Sequence, residues 1–326
     1  MPDLVDGYGR VVRDVRVSLT DRCGLRCTYC MPAEGLPWLP RQELLTDAEL
    51  LRVTGILAGL GVRSARLTGG EPLLRPGVAA IVRGLVGQGY DTALTTNGVA
   101  LAGCADDLAA AGLKRVNVSL DTLQRSKFHA ITHRDRFVDV MAGLAAAATA
   151  GLTPVKVNAV LLRGVNDTEA VDLLSFCLDR GYELRFIEQM PLDPQHSWDR
   201  SQLVTGEEIL ARLRARWSLQ PEPRTGSAPA ETWLVDGGPA RVGVVASVTA
   251  PFCSSCDRLR LTADGQLRNC LFSRTETDLR GPLRSGATDA ELVELITASV
   301  RAKAAGHGID DPAFLQPVRP MSAIGG

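Results

Sequence analysis

Strand-type and helix-type hydrophobic patterns alternate along the chain from residue 11 to about residue 217. Strand-type runs cover 11–20, 64–68, 92–96, 115–120, 154–162 and 183–188, and several of them have apolar residues at every second position. Between and after them, helix-type runs cover 46–60, 76–88, 101–111, 136–150, 168–179 and 206–217. Capping boxes at Thr46, Thr205 and Thr288 mark three helix starts. This alternation predicts a parallel sheet with right-handed crossovers.

The number of these units predicts an α/β fold. Six strand–helix units fit an incomplete (βα)6 barrel of the TIM type, and a doubly wound open sheet is the alternative. Residues 218–230 contain three prolines and few apolar side chains, so they predict a linker after a barrel that covers 1–217. Beyond the linker, strand-type runs and two helix-type runs predict a smaller α+β region over 231–326. Those runs cover 231–235, 241–248, 258–262, 266–269, 276–284 and 289–304.

Several predicted strands have one polar face, although strands of a parallel sheet covered by helices usually read as continuous apolar runs. In the first strand, Val15, Val17 and Leu19 share one face, and Arg16 and Ser18 lie on the other. A wide polar barrel interior accounts for the second face. Four cations lie on such strands, namely Arg16, Arg66, Lys156 and Arg185. Together they predict an anion inside the barrel, and an ion pair at the barrel end is the alternative for any one of them.

The charge balance and the N-terminal sequence narrow the classes of partner. Lys and Arg number 36 against 37 Asp and Glu, so no basic field favours nucleic acid and no acidic tail favours a basic partner. Residues 1–10 carry acids and glycines where a secretory signal needs an apolar core, and the alanine-rich stretch 141–150 is too short to span a bilayer. We therefore expect a cytoplasmic protein without a membrane or nucleic-acid partner.

Six of the eight cysteines fall into two groups of three. Clustered cysteines in a cytosolic chain favour metal binding over disulfides. Cys104 and Cys177 stand alone in helix-type runs, so we expect them to be buried packing residues.

The first group directly follows the first strand, with Cys23, Cys27 and Cys30 in a C-x3-C-x2-C pattern and Tyr29 before the last cysteine. Zinc sites and most four-iron clusters take four protein ligands, so three cysteines leave one metal position open. This motif resembles that of the radical S-adenosylmethionine (SAM) enzymes. A structural zinc knuckle with a distant fourth ligand is the alternative.

Polar motifs follow the second and third strands. Thr68-Gly69-Gly70-Glu71-Pro72 ends the second strand, and residues 95–98, Thr-Thr-Asn-Gly, end the third. Ligand sites of barrels gather at these strand ends. Paired glycines allow a positive φ or a close backbone approach to a ligand, and the segment resembles the one with which radical SAM enzymes hold the methionine amino group.

The second group, Cys253, Cys256 and Cys270, lies in the C-terminal region. A hairpin at Asp264-Gly265 is predicted to bring Cys270 back beside the C-x-x-C turn, so that three thiols reach one metal site. A zinc ribbon that lacks one cysteine is the alternative. Arg258 and Arg260 lie two apart on the strand after the turn and should share one face.

Together these motifs resemble one family within the radical SAM superfamily, the GTP 3′,8-cyclases of molybdenum cofactor biosynthesis. Further segments carry the resemblance: 117–121, 155–158, 185–190, the Phe-Cys-x-x-Cys-x-Arg-Leu-Arg run at 252–260 and the terminal Gly325-Gly326. The alternative for that tail is a frayed terminus.

The resemblance implies two 4Fe–4S clusters, one on Cys23, Cys27 and Cys30 and one on Cys253, Cys256 and Cys270. It also implies that the open iron of the second cluster binds guanine. The implied SAM contacts are Tyr29, Gly70, Ser119 and Met190. The implied GTP contacts are Arg16, Arg66, Thr95, Lys156, Arg258, Leu259 and Arg260.

The implied reaction begins when an external one-electron donor of the flavodoxin or ferredoxin type reduces the first cluster. SAM is then cleaved to methionine and a 5′-deoxyadenosyl radical, which removes the C3′ hydrogen of GTP. C3′ closes onto C8 to give (8S)-3′,8-cyclo-7,8-dihydroguanosine 5′-triphosphate, which the next pathway enzyme, cyclic pyranopterin monophosphate synthase, receives. Two rival readings stay open: a different radical SAM enzyme with an auxiliary cluster, such as a peptide maturase, and a non-enzymatic zinc-binding protein. The sequence leaves monomer and homodimer equally open.

Overall fold

The computed structural model describes residues 3–224 and 226–325 and shows an α/β fold around a mixed sheet. Gly326, half of the predicted Gly-Gly tail, lies outside the described residues. In the described part, twelve strands form one sheet in the order β12-β11-β10-β1-β2-β3-β4-β5-β6-β9-β8-β7.

The six predicted strands of the barrel region are all confirmed, most of them with shorter ends. They are β1 (Asp14–Ser18), β2 (Ser64–Thr68), β3 (Asp91–Thr96), β4 (Arg115–Ser119), β5 (Val155–Val160) and β6 (Glu183–Ile187). The remaining strands are β7 (Leu219–Pro221), β8 (Glu231–Val235), β9 (Arg241–Val245), β10 (Arg258–Leu261), β11 (Gln266–Arg268) and β12 (Thr277–Asp278). Two of these, β7 and β12, were not predicted. Strand β7 lies inside the stretch predicted as a linker, 218–230, and pairs antiparallel with β8.

Ten α-helices occur in the described part of the chain. They are α1 (Asp47–Gly59), α2 (Val78–Gly87), α3 (Ala105–Ala110), α4 (Arg125–Thr132), α5 (Phe137–Thr149), α6 (Ala170–Arg180), α7 (Gly206–Arg214), α8 (Arg280–Arg284), α9 (Asp289–Arg301) and α10 (Met321–Ile324). The capping boxes at Thr46, Thr205 and Thr288 are confirmed, each with a main-chain and a side-chain hydrogen bond. None of these helices has the length and apolarity needed to cross a bilayer.

Some helical predictions were wrong in detail. Helix α4 was missed because its sequence is largely polar, and only Phe128, Ile131 and Thr132 are buried. The predicted helix at 101–111 begins as a 3-10 turn at Leu101–Gly103, and Cys104 is half-buried at the following turn. Cys177 is fully buried in α6, as predicted.

Strands β1 to β6 are parallel to one another, and the C-terminal region extends this parallel sheet on both sides. Strand β10 pairs in parallel with β1, and β9 pairs in parallel with β6. Residues of both flanking strands, Val245 and Arg258, line one cavity together with Arg16 of β1 and Thr95 of β3. The sheet therefore curves into an incomplete barrel, as predicted.

The two faces of this sheet differ in polarity, as the alternating pattern predicted. Val17 of β1, Leu67 of β2 and Leu94 of β3 follow one another across the register and are fully buried in the hydrophobic core. Arg16 and Arg66, one position earlier on their strands, line the cavity on the opposite face. The helices therefore cover the apolar face, and the curvature encloses the polar one.

Candidate functional site

One cavity of about 330 Å³ lies on the polar face of the sheet, and both cysteine groups line it. Several of its strand residues come from the carboxyl ends of the strands, including Thr95 and Thr96 of β3 and Ser119 of β4. Side chains from the barrel region and from the C-terminal region thus meet in one space.

The first cysteine group is held against the helix that the sequence analysis missed. The amide of Arg26 donates to the carbonyl of Thr132 at 2.9 Å, and the amide of Thr28 donates to that of Ile131 at 3.0 Å. The amide of Cys30 donates to the carbonyl of Cys27 at 2.8 Å, which closes a tight turn. The end of α4 therefore fixes the loop that carries Cys23, Cys27 and Cys30.

Burial raises the pKa of each thiol in the first group. The pKa of Cys30 rises to about 12, and that of Cys27 lies well above its usual range, with the Asp121 carboxylate adding to the effect of burial. The pKa of Cys23 is raised less. Thiols in this setting give up their protons only to a metal that binds the thiolates, so metal binding here releases protons.

The implied SAM contacts all lie on the cavity: Tyr29, Gly70, Ser119 and Met190. The Tyr29 hydroxyl donates to Oδ2 of Asp121 at 2.8 Å, and the Val160 amide donates to Oδ1 of the same carboxylate at 2.9 Å. Burial raises the pKa of Asp121 to about 6. This carboxyl group links the first cysteine loop to the ends of β4 and β5.

The paired glycines after β2 approach protein backbone closely. A Cβ atom on Gly70 would lie 2.4 Å from the carbonyl oxygen of Asp21 and 2.5 Å from that of Arg22. The Gly70 amide donates to the carbonyl of Thr20 at 2.7 Å. The need for glycine thus comes from packing against the start of the first cysteine loop.

Glu71 fixes the ends of neighbouring strands. Its buried carboxylate accepts from Thr96 Oγ1 at 2.7 Å, from the Asn97 amide at 2.7 Å and from the Leu73 amide at 3.0 Å. Asn97 in turn donates from Nδ2 to Sγ of Cys23 at 3.7 Å. The motifs after β2 and β3 therefore form one hydrogen-bonded unit beside the first cysteine group.

The second cysteine group is assembled by the predicted hairpin. Strands β10 and β11 pair antiparallel, with Arg260 opposite Arg268, and the hairpin returns Cys270 toward Cys253 and Cys256. Burial opposes ionisation of Cys256, yet nearby Arg258 and Lys303 lower the pKa of this thiol below its usual value.

Three arginines occupy matching positions on adjacent strands. Arg16 of β1 is in register with Arg66 of β2 on one side and with Arg260 of β10 on the other. Nε of Arg16 and both Nε and Nη1 of Arg66 are buried without a hydrogen-bond partner among the described residues. Burial and the neighbouring arginine Arg258 lower the pKa of Arg260 to about 9. Buried donors without partners are costly, so this row fits an anion.

The structure does not bring every implied GTP contact to the cavity. Thr95, Arg258 and Arg260 line it. Lys156 does not, because its Nζ forms an ion pair with Glu183 of the adjacent strand at 2.5 Å. The side chain of Leu259 is fully buried in the hydrophobic core between the two cavity-facing arginines, which leaves its backbone for the implied contact with the nucleotide. Arg185, added to the anion site from strand periodicity, lines the cavity.

Gly325 is packed inside the barrel. Its carbonyl accepts a hydrogen bond from Nη1 of Arg260. Its φ is +86°, and a Cβ atom there would lie 2.7 Å from Thr68 Oγ1 and 2.9 Å from Ser18 Cβ. The described part of the tail is therefore bound between β1 and β2, which argues against a frayed terminus.

Two cavity residues were not recognised as such from the sequence. His307 was not singled out, yet it lines the cavity, donates from Nε2 to the carbonyl of Ser247 at 3.1 Å and packs on Phe272. Phe252 lies under the Arg258 guanidinium at 4.5 Å. The position of Phe252 next to Cys253 was a usable signal, whereas His307 lies 37 residues after Cys270 and only the fold brings it near.

The donor set suits iron–sulfur clusters. Cysteine thiolates are the usual ligands of such clusters, and each thiolate of a cluster binds a different iron atom. Three thiolates at a group would leave one iron of such a cluster without a protein ligand.

Two family profiles match the chain. The profile of the Radical SAM superfamily matches residues 17–177, and that of Molybdenum Cofactor Synthesis C matches residues 182–309. The two matches divide the sheet between them, since the end of β1 and all of β2 to β5 fall in the first range and β6 to β12 fall in the second.

Curated relatives match over nearly the whole chain. A GTP 3′,8-cyclase of Streptomyces coelicolor is 60% identical, and the match covers 99% of this chain and 96% of the relative. A GTP 3′,8-cyclase of Corynebacterium glutamicum is 54% identical, with 99% and 89% covered.

A solved structure shares the fold at low identity. The crystal structure of Streptococcus suis SuiB bound to S-adenosylmethionine superimposes with a TM-score of 0.57 at 12% identity, covering 89% of this chain and 73% of that one. At this identity the likeness concerns the fold alone.

Proposed function

This chain belongs to the GTP 3′,8-cyclase family of radical SAM enzymes, and we propose that it converts GTP to (8S)-3′,8-cyclo-7,8-dihydroguanosine 5′-triphosphate. The reaction is the radical SAM step of molybdenum cofactor biosynthesis. One observation carries the proposal: a single cavity is lined by two three-cysteine groups and by the arginine row of Arg16, Arg66 and Arg260. Such a space offers two cysteine groups for metal binding and cationic side chains for a polyanion.

In this proposal Cys23, Cys27 and Cys30 hold a 4Fe–4S cluster whose open iron takes SAM, beside Tyr29, Gly70, Ser119 and Met190. Cys253, Cys256 and Cys270 hold a second 4Fe–4S cluster whose open iron takes the guanine. The support is the donor set, because three thiols at each group leave one coordination position for a non-protein ligand.

The arginine row binds the triphosphate. Guanidinium groups match phosphate oxygens with paired hydrogen bonds, and the unpartnered donors of Arg16 and Arg66 are available for them. Arg258 and Thr95 also line the space and contact the nucleotide. In this proposal Lys156 reaches the nucleotide once its ion pair with Glu183 breaks.

When bound, the first cluster and SAM together supply the 5′-deoxyadenosyl radical that removes the C3′ hydrogen of GTP. The protein chain itself positions the nucleotide and excludes water from the cavity. Arg260 holds both the nucleotide and the Gly325 carbonyl, so the tail closes the cavity against the bound substrate. Exclusion of water protects a reactive intermediate from side reactions. Held geometry converts a bimolecular step into an effectively unimolecular one.

The reaction requires an external one-electron donor, for which a flavodoxin or ferredoxin is the proposed class. The product passes to cyclic pyranopterin monophosphate synthase. We propose a cytoplasmic enzyme, because thiols stay reduced there and all eight cysteines are free of disulfides.

An anaerobic assay tests this function. Reconstituted protein is incubated with SAM, dithionite and GTP, and 5′-deoxyadenosine and the cyclised nucleotide are measured by liquid chromatography and mass spectrometry. We expect both products. SAM cleavage without any GTP-derived product would favour a different radical SAM enzyme such as a peptide maturase. Stoichiometric zinc without iron after anaerobic purification would contradict the radical mechanism itself.

A further inference from the structure

Lys303 is a buried lysine next to the second cysteine group. It follows α9 by two residues, and only 4% of its surface is exposed. The chain contains few other lysines: Lys114, Lys127 and Lys156. Lys114 is exposed, and Lys127 and Lys156 form ion pairs with Glu169 and Glu183. Among the described residues, Lys303 is the lysine that is buried without a carboxylate partner.

The ammonium group of Lys303 has three donors, and three acceptors surround it. Nζ lies 2.9 Å from the carbonyl oxygen of Cys256, 2.9 Å from that of Arg258 and 3.5 Å from Sγ of Cys256. An ammonium group has three N–H bonds and no acceptor, so its hydrogen-bonding capacity is filled. Two of the acceptors are neutral carbonyls, and the thiolate of Cys256 is the only anion among them.

A buried charge is costly unless an opposite charge accompanies it. Arg258 lies near the same sulfur and adds positive charge instead of offsetting it. Compensation must therefore come from Cys256 and from whatever negative charge is bound to it. An iron–sulfur cluster ligated by thiolates becomes more negative on reduction, and hydrogen bonds to its sulfurs and nearby charge set its potential.

We propose that Lys303 is the counter-charge of the second cluster: its ammonium group holds the Cys256 thiolate on iron and raises the reduction potential of that cluster. The proposal rests on the second cluster of the proposed function. Lys303 is a positioning residue in this role, because it acts through Cys256 and lies outside the residues that line the cavity.

A purely structural role is the competing explanation. Lys303 also ties the end of α9 to the start of β10 through the two carbonyl groups, and that tether alone would make the residue necessary for folding. The two roles differ in what they change. A tether alters stability and leaves the potential of a correctly folded cluster unaltered, whereas a counter-charge alters the potential.

The test compares the holoenzyme with Lys303→Met, which removes charge and donors, and Lys303→Gln, which keeps an N–H donor without the charge. Lys114→Met is the matched control, since Lys114 is exposed and outside the site. Redox titration followed by electron paramagnetic resonance gives the potential of each cluster. The signal that changes on GTP addition belongs to the second cluster, and the one that changes on SAM addition belongs to the first.

We expect both Lys303 variants to make reduction of the second cluster about tenfold less favourable, which is about 59 mV for a one-electron couple. The first cluster and the Lys114 variant should keep the wild-type potentials. We also expect chelators to remove iron from the second cluster faster in both variants. If the second cluster of Lys303→Gln kept the wild-type reduction potential, the charge of Lys303 would not set that potential. The proposal would then be overturned, because an N–H donor alone would be sufficient.

A second measurement needs no variant. Chelator-treated wild-type protein and holoenzyme are exposed to an amine-acylating reagent, and modification of Lys303 is mapped by mass spectrometry. We expect faster modification once the cluster is gone, because the buried ammonium has lost its counter-charge; equal rates would overturn the proposal. Wild-type protein that binds only one cluster after reconstitution would instead contradict the proposed function.

Discussion

The two three-cysteine groups of this chain share one cavity and differ in the charge around them. The first group has buried carboxylates nearby, Asp121 and Glu71, and its direct side-chain donor is the neutral amide of Asn97. At the second group, Lys303 contacts Cys256 directly, and Arg258 and Arg260 lie on the adjacent strand.

This difference appears in one thiol of each group. Burial and Asp121 raise the pKa of Cys27 well above its usual range, whereas Arg258 and Lys303 lower that of Cys256 despite burial. Surroundings that disfavour negative charge make a bound cluster harder to reduce and a better electron donor once reduced. The first group is therefore suited to giving an electron to its ligand, and the second to holding a ligand in place. Similar ligand sets thus acquire different roles from their neighbours.

The largest expected effects come from replacing one cysteine in each group, and they test whether the two groups serve different steps of the reaction. Cys27→Ala should abolish SAM cleavage and cyclisation together, because the first cluster is the electron donor. Cys256→Ala should abolish the cyclised product and retain GTP-independent formation of 5′-deoxyadenosine. Both products are measured by mass spectrometry after anaerobic reconstitution. Loss of SAM cleavage in both variants, with the first cluster intact, would contradict the division of roles.

The tail offers the next largest effect, because it reaches the nucleotide side of the cavity. Gly325→Ala should lower cyclisation roughly hundredfold, since a displacement of about 1 Å near reacting groups has that consequence. Its new Cβ would collide with Thr68 and Ser18. Gly286→Ala is the matched control: its φ is +85°, and nothing lies within 4 Å of the added atom. Equal cyclisation rates for the two alanine variants would show that the collision adds nothing to the strain of a positive φ, and they would contradict the prediction.

Arg319 anchors the same tail from outside the cavity. It donates to Asp264 from Nη1 at 3.1 Å and from Nη2 at 2.8 Å, and from Nε to Glu276 at 3.0 Å. Arg319→Met should lower cyclisation about tenfold, because each 1.4 kcal/mol lost from tail docking changes its equilibrium by that factor.

The control for Arg319 is an exposed ion pair. Arg200 contacts Asp310 at 2.6 Å with both side chains at least half exposed, so Arg200→Met should change the free energy of unfolding by less than about 1 kcal/mol. Steady-state rates and thermal unfolding are measured for both variants. An unchanged cyclisation rate in Arg319→Met would show that the tail docks without this anchor.

The smallest expected effect is that of Asn97, and it compares a neutral donor at the first group with the charged donor at the second. Asn97→Ala removes one neutral donor from Cys23 and should make reduction of the first cluster about threefold less favourable, because neutral hydrogen bonds are about half as strong as charge-assisted ones. Asn97→Asp keeps the acceptor to the Val99 amide and adds negative charge, so it should lower that potential further. A shift as large as that expected for Lys303 would remove the distinction between neutral and charged neighbours.

The barrel and its cysteines could be predicted from the sequence because their signals are local. Strand-type runs of five or six residues, several of them alternating, identify β1 to β6, and cysteine spacing identifies both ligand groups. Helix α4 was missed because the surface that it buries is small, although it holds the first cysteine loop. The short edge strands β7 and β12 carry too few residues for a period to be visible.

The features of the site that the sequence analysis did not foresee have different physical origins. The core-facing side chain of Leu259 could have been predicted, because a residue between two same-face arginines of a strand must face the other way. The ion pair of Lys156 depends on register, since Glu183 reaches it only from the neighbouring strand. Lys303 and His307 lie near the second cysteine group only because distant segments of the chain fold together. Their spacing in the sequence does not predict this contact.

The pairing of β1 with β10 has a consequence for how the protein is made. Asp14 of β1 is in register with Arg258. One edge of the first strand therefore stays unpaired until its partner has been synthesised, 244 residues later. At usual elongation rates that interval is roughly ten to fifty seconds. During it, β1 presents unpaired backbone groups, and such an edge invites pairing with other chains. Limited supply of chaperones should therefore affect nascent chains before β10 emerges more than it affects the finished enzyme.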